Sequence, residues 1–176
     1  LEQGLGSVLR ARADAQVRHL TAEDRRLLGG LGIVVGELVV FSPELLSPWA
    51  VQRRAALWAG RSGARGHKVP TATAIEIDEG VEVGYYHAIG YPPFGPRAIR
   101  CDLAERTYAR LRAATRAGPG ALPEEPCAWL SCGPEELAAI AAAMGFVEVR
   151  AGQWVLPPRR SRRARGGRRG RIRAAG

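Results

Sequence analysis

Few side chains in this 176-residue sequence have types suited to covalent or metal chemistry, and their spacing argues against it. Cys127 and Cys132 are separated by four residues, wider than the usual pair of zinc thiolates, and no second pair follows. Cys101, His67 and His87 would have to complete four ligands from separate segments. The spacing therefore points to two buried thiols flanking a helix turn, with no bound zinc. A cysteine nucleophile needs a partner histidine, and His87, inside Tyr85-Tyr86-His87-Ala88-Ile89, reads as a packed or surface imidazole. Asp102 and Glu105 resemble a carboxylate pair for acid–base work, but a helix capping box explains both. A phosphate-binding loop requires Gly-x-x-x-x-Gly-Lys-Ser/Thr, so that backbone amides cradle phosphate and the hydroxyl meets Mg²⁺. The stretch Gly63-Ala64-Arg65-Gly66-His67-Lys68-Val69 lacks both the spacing and the hydroxyl, and no Asp-Glu-x-His or Asp-Glu-x-Asp box is present to hold a metal. The expectation is a chain with no catalytic residue, metal or cofactor of its own, and no nucleotide triphosphatase activity.

One feature carries a sharp physical implication. The net charge is +9, and residues 157 to 176 hold nine arginines and no acid: Arg159, Arg160, Arg162, Arg163, Arg165, Arg168, Arg169, Arg171 and Arg173. Removing these nine from the 26 basic residues leaves 17, against 17 acidic ones, so the body is formally neutral and the excess sits in the tail. Of the 26 basic residues only Lys68 is not arginine, a bias that high-GC coding produces without selection. Blocks of like charge repel one another, and Gly166, Gly167 and Gly170 oppose a helix, so a disordered tail is expected from about Pro157. Its arginines are the expected nucleic-acid-binding residues, neutralising phosphates and releasing counterions without reading sequence. No aromatic residue among them offers a stacking platform.

The elements that would carry these residues are short. Hydrophobic residues make up 46% and charged residues 24%, which suits a packed core. No run of eighteen apolar residues appears, which argues against a membrane partner. Three cysteines fit a reducing compartment, hence a cytoplasmic location. The chain begins on Leu1, and Leu5, Val8, Leu9 and Val17 recur at roughly helical spacing without an N-cap, as if continuing from a missing upstream domain. Thr21 and Asp24 form a capping box for a helix stopping at Gly29-Gly30. Ile33 to Phe41 reads as two strands bent at Gly36. Ser47-Pro48 starts a helix ending at Gly60, with Trp49, Ala56 and Leu57 inward and Arg53 and Arg54 outward. Ala74 to Ile77 reads as a strand and Val83 to Ile89 as a helix closing at Gly90. Residues 91 to 96 are expected to be irregular, because the prolines remove donors. Ala98 to Cys101 is extended, and Asp102 caps a helix running to about Ala117. Leu103, Tyr108 and Leu111 form its apolar face, and Arg106, Arg110, Arg112 and Arg116 populate the rest, late arginines suiting the negative helix end. A short helix ends over Cys127 to Leu130. Another starts at Gly133-Pro134-Glu135-Glu136 with Leu137, Ile140, Ala141 and Met144 as its stripe. Phe146 to Arg150 and Gln153 to Leu156 then pair around Ala151-Gly152. Helix, helix and two-stranded wing is the order at the end of winged-helix modules.

Four blocks carry a family likeness. Residues Gly36 to Pro48 (GELVVFSPELLSP), Tyr85 to Tyr91 (YYHAIGY), Gly95 to Arg106 (GPRAIRCDLAER) and the stretch from Cys132-Gly133-Pro134-Glu135-Glu136-Leu137 through Met144-Gly145-Phe146 occur in one order. Together they resemble the region after the motor in bacterial superfamily 2 (DExH-type) helicases related to the mitochondrial degradosome RNA helicase. The likeness covers roughly residues 25 to 173 and includes an arginine-rich end. It implies a C-terminal accessory region whose motor domains, with their ATP and Mg sites, have no counterpart in this chain.

The expected fold is α+β, mainly helical with short hairpins. The expected organisation is an N-terminal helical segment over 1–30, a helical accessory domain with a small hairpin over 31–118, a winged-helix-like unit over 119–156 and a basic tail over 157–176. The expected function is a nucleic-acid-binding accessory module of an ATP-dependent RNA or DNA helicase, with motor domains in the same parent chain as partners. The alternative is a structural or assembly protein of a ribonucleoprotein particle such as the ribosome, using its tail to bind RNA.

Overall fold

Val39, Val40 and Phe41 are consecutive, apolar and buried, as befits a strand covered on both faces. In the computed structural model, which describes residues 5–63 and 67–158, they form the central strand of a three-stranded antiparallel sheet. Its edges are β1 (Ser7–Leu9) and β2 (Val34–Val35), with β3 (Val39–Phe41) between them. The hairpin bent at Gly36 is therefore present. The helix expected over Leu5 to Val17 is not. Leu5 and Gly6 take φ of 50° and 103°, incompatible with a right-handed helix, and β1 pairs with β3 in the register Ser7↔Phe41 and Leu9↔Val39. A 3-10 turn over Arg10–Arg12 and a one-turn helix, α1 (Asp14–Val17), follow. Helix α2 (Ala22–Gly30) starts on the expected capping box: the Asp24 N–H donates to Thr21 Oγ1 at 3.1 Å and the Thr21 N–H to Asp24 Oδ2 at 2.8 Å.

Helix α3 (Pro48–Ser62) starts at Ser47, whose Oγ accepts the Ala50 N–H. It runs past Gly60 and stops at Gly63, which is left-handed. Its buried face differs from the expected one. Ala50, Val51, Arg54 and Ala55 face inward, whereas Trp49 and Leu57 are 64% and 57% exposed. Small residues on the inner stripe let α3 approach α4 (Val83–Ile89) closely, and Trp49 lies under the Arg53 guanidinium, 4.5 Å from the ring centroid. Helix α4 ends as expected at Gly90, with φ +83°.

The second sheet has the order β4 (Ala74–Glu76), β6 (Arg97–Ile99), β5 (Pro93–Phe94). The prolines of 91–96 do not prevent pairing, because β5 is an edge strand, where a missing donor costs little. Helix α5 (Cys101–Ala114) follows, ending three residues earlier than expected. Asp102 is not its cap: Arg100 precedes the helix, and the Asp102 carboxylate accepts two hydrogen bonds from the Arg100 guanidinium at 2.8 Å each. Helices α6 (Glu125–Leu130) and α7 (Pro134–Ala143) and the hairpin β7 (Val147–Arg150) with β8 (Gln153–Val155) follow the expected order. The chain is thus α+β, with helices predominant and three small antiparallel sheets among the described residues.

The largest core joins Ile99, Leu103, Tyr108 and Leu111 to Leu137, Ile140, Phe146 and Trp154, so one apolar cluster runs across residue 118. Arg97 is 9% exposed and ties β6 to α7 through Glu136 at 3.1 Å. A second cluster packs Val51 and Ala55 of α3 on Tyr85, Tyr86 and Ile89 of α4.

Candidate nucleic-acid interface

The site is assembled from the turn between β2 and β3 upward. Three successive N–H groups at that turn point at one carboxylate: Glu105 of α5 accepts from Glu37 at 2.9 Å and from Leu38 and Val39 at 2.7 Å each. Glu105 is therefore not part of a capping box. Its carboxylate, held by these three N–H groups, fills the space a Cβ at position 36 would occupy, so a larger residue there would have to displace it. The result is a turn fixed against α5, with the Glu37 side chain between two arginines. Glu37 lies 3.9 Å from Arg10 and 3.6 Å from Arg112. Arg10 also donates to the Gly36 carbonyl at 2.8 Å.

Beside this turn is a groove of about 610 Å³. Arg10, Arg112 and Arg116 bring three guanidiniums to it, and Glu37 is its one carboxylate among the described residues. Tyr108 and Met144 form part of the floor, and Leu156, Pro157 and Pro158 complete the wall. Arg112 and Arg116 are exposed, and although Glu37 lies 3.6 Å from Arg112, three guanidiniums outnumber the one carboxylate among the described residues, so the groove keeps a net positive charge. Two further arginines of α5 face other neighbours: Arg106 lies over the Trp129 ring at 4.1 Å, and Arg110 pairs with Glu125 at 2.8 Å.

The nine arginines expected to bind nucleic acid, Arg159, Arg160, Arg162, Arg163, Arg165, Arg168, Arg169, Arg171 and Arg173, lie outside the described residues. The point of departure is inside them. Pro157 and Pro158 line the groove, and Arg159 is the next residue. Arg112 on α5 and Arg116, two residues past its end, were legible as basic residues, and helix-end charge alone accounts for them. Nothing in the sequence joins them to Arg10, which is about a hundred residues away in the chain.

The remaining candidates are dispersed. Cys101 is fully buried, and burial pushes its thiol up to about 12. Burial, followed by the neighbouring Cys127, pushes the Cys132 thiol up to about 11. In the metal-free chain burial thus favours the protonated thiol at both positions, which disfavours the thiolate that a nucleophile uses. His67 packs its ring 4.8 Å from Tyr85, and residues 64–66 of the glycine-containing loop lie outside the described residues. His87 is half-buried, and burial, then the Arg12 charge, hold its imidazole below the usual value. Among the described residues no three His, Cys, Asp or Glu side chains converge as metal ligands. None of their helices is long and apolar enough to cross a membrane.

Sequence reasoning also missed Arg54, which is 3% exposed on α3. Its Nε donates to the Ala88 carbonyl at 2.7 Å, Nη1 to the Leu45 carbonyl at 3.1 Å and Nη2 to Ser7 Oγ at 2.6 Å. Burial lowers its pKa to about 10, so it stays charged at neutral pH. It joins α3, α4 and β1.

Comparison with known proteins supplies no relative: no family model, curated protein or solved structure matches the chain.

Proposed function

We propose that this chain is a nucleic-acid-binding accessory module of an ATP-dependent RNA or DNA helicase, acting beside motor domains that hold ATP and Mg in the parent protein. The nine arginines from Arg159 to Arg173 hold phosphates of the strand leaving the motor, and the groove at Arg10, Arg112 and Arg116 seats the strand against the folded body.

One observation carries this reading: the arginine-rich segment departs from the wall of a groove that is itself basic. A tail serving only as a solvated appendage has no need of that juxtaposition. A polyanion on the tail meets Arg112 and Arg116 within the same field, and phosphate neutralisation by both releases more counterions than either alone. The unit of α6, α7 and the β7–β8 hairpin, which reads as winged-helix-like, contributes Met144, Gly145, Leu156 and the two prolines to the same groove. The helicase assignment rests on the four ordered blocks of the resemblance. The role is positional, because phosphate contacts fix register and orientation and carry little sequence information.

The test is binding of a labelled single-stranded RNA by the full chain and by Arg112→Ala/Arg116→Ala. Both residues are exposed, so the variant keeps its fold. Weaker binding with a shallower salt dependence supports the reading, and unchanged binding removes the groove from it.

A further inference from the structure

A second cavity, of about 690 Å³, lies where β1, the last turns of α3 and the first turn of α4 meet. Its size is that of a small-molecule site. Arg12 and Arg61 are exposed on its wall, and the half-buried imidazole of His87 joins them. No carboxylate lines it among the described residues. The groove at Arg112, by contrast, contains Glu37. A cavity with two guanidiniums, an imidazole and no acid selects an anion.

The same wall carries an indole. Trp58 is partly buried, and Tyr85 fixes it edge-on with 5.5 Å between ring centroids. Gly84, which also lines the cavity, stands beside it: a Cβ there would be in ordinary van der Waals contact with Trp58 Nε1, at 3.6 Å. Val8, Leu9 and Val83 supply further apolar wall. Cationic and aromatic groups on one concave surface, without carboxylates, match a ligand that joins a phosphate to a planar ring.

We infer that this cavity binds a nucleotide, with the phosphate on Arg12, Arg61 and His87 and the base against Trp58. The chemistry is that of a nucleoside monophosphate, either free or as the phosphorylated end of a strand. This site is separate from the groove at Arg112, so either can fail without the other.

The experiment follows the Trp58 indole N–H and the His87 ring by NMR while the full chain is titrated with adenosine 5′-monophosphate, inorganic phosphate and adenosine. The monophosphate is expected to shift both signals. Phosphate and adenosine are each expected to bind about tenfold more weakly or worse, since each lacks one half of the contacts. Arg12→Ala/Arg61→Ala, at two exposed positions, should weaken the monophosphate by about tenfold or more without changing the unfolding midpoint. A 5′-phosphorylated trinucleotide that shifts the same signals and competes with the monophosphate assigns the site to strand ends. Failure of the trinucleotide to compete assigns it to free nucleotide. An unmoved Trp58 signal, equal affinity for inorganic phosphate, or indifference to the double substitution would overturn the inference.

Discussion

The Oε1 oxygen of Glu105 accepts the Leu38 N–H at 2.7 Å, joining the third residue of one turn to a helix 67 residues further along the chain. The same oxygen takes the Val39 N–H and its partner oxygen the Glu37 N–H, so one carboxylate organises the turn that supplies Glu37 to the basic groove. A structural contact thereby determines where the charge of the site lies.

Glu105→Ala is expected to destabilise the chain by about 2–4 kcal/mol, because three donors lose a charged acceptor in a half-buried setting. Glu105→Gln, which keeps one good acceptor oxygen, should cost less. Urea unfolding midpoints measure both, and equal, near-zero effects would contradict the role given to this contact.

Arg54 should tolerate no apolar replacement. Arg54→Met leaves the Ala88 and Leu45 carbonyls and the Ser7 hydroxyl short of a donor, and a loss of about 3 kcal/mol is expected. Gly90→Ala should also be costly, since φ is +83° and the new Cβ would meet Arg54 Nη1 and Leu46 Cδ2 at 2.8 Å. Thermal unfolding of the two single variants and the double variant tests this, and less-than-additive losses are expected because both disturb one contact.

Which of these features the sequence disclosed follows from how local each one is. Helix α4 with its Gly90 terminus, the Thr21–Asp24 box and the stripe of α7 were legible, because each is written within a few neighbouring residues. Illegible features depend on distant partners. Residues 7–9 become a strand because β3 offers its edge. Arg54 is buried because acceptors arrive from Ser7, Leu45 and Ala88, and charge alone would send it to solvent. Asp102 and Glu105 have the spacing of a capping box, yet one turns back to Arg100 and the other to the amides of 37–39. The groove was hidden for the same reason, since Arg10 and Arg112 meet only through the β2–β3 turn.

Acid should weaken the fold through Glu136. Its hydrogen bond to Arg97 holds the carboxyl below the usual value of 4.5. A carboxyl depressed in the folded state stabilises fully above its unfolded value and loses that contribution as pH falls through the folded one. Asp102 behaves alike: burial pushes its carboxyl up, but the Arg100 guanidinium and the backbone N–H groups of Leu103 and Asp102 together hold it below its usual value. Unfolding midpoints of the parent chain and Glu136→Gln, compared from about pH 6 down to about pH 3, should therefore converge toward the acid end. A constant offset would contradict the pairing.

Thiol reactivity follows from exposure, and Cys127 and Cys132 are not the two buried thiols their spacing suggests, since both are only partly buried. Cys101 should resist alkylation in the native chain, and Cys127 and Cys132, both partly exposed, should react first. Elemental analysis is expected to find less than one zinc per chain. Stoichiometric zinc lost on Cys127→Ser would overturn this.

In the proposed function, phosphates are held jointly by the arginines after Pro158 and by the groove from which they depart. Its most direct test is the salt dependence of single-stranded RNA binding for the full chain, a chain ending at Pro158, and that shortened chain carrying Arg112→Ala/Arg116→Ala. If most of the arginines engage, the full chain should give a log–log slope of about −5 to −7, since each neutralised phosphate contributes about −0.7 on a single strand. The shortened chain should retain weak binding with a slope of about −1 to −2, and the double substitution should remove that remainder. A shortened chain that binds as tightly and as salt-dependently as the full one would rule out joint binding, as would a remainder indifferent to Arg112 and Arg116.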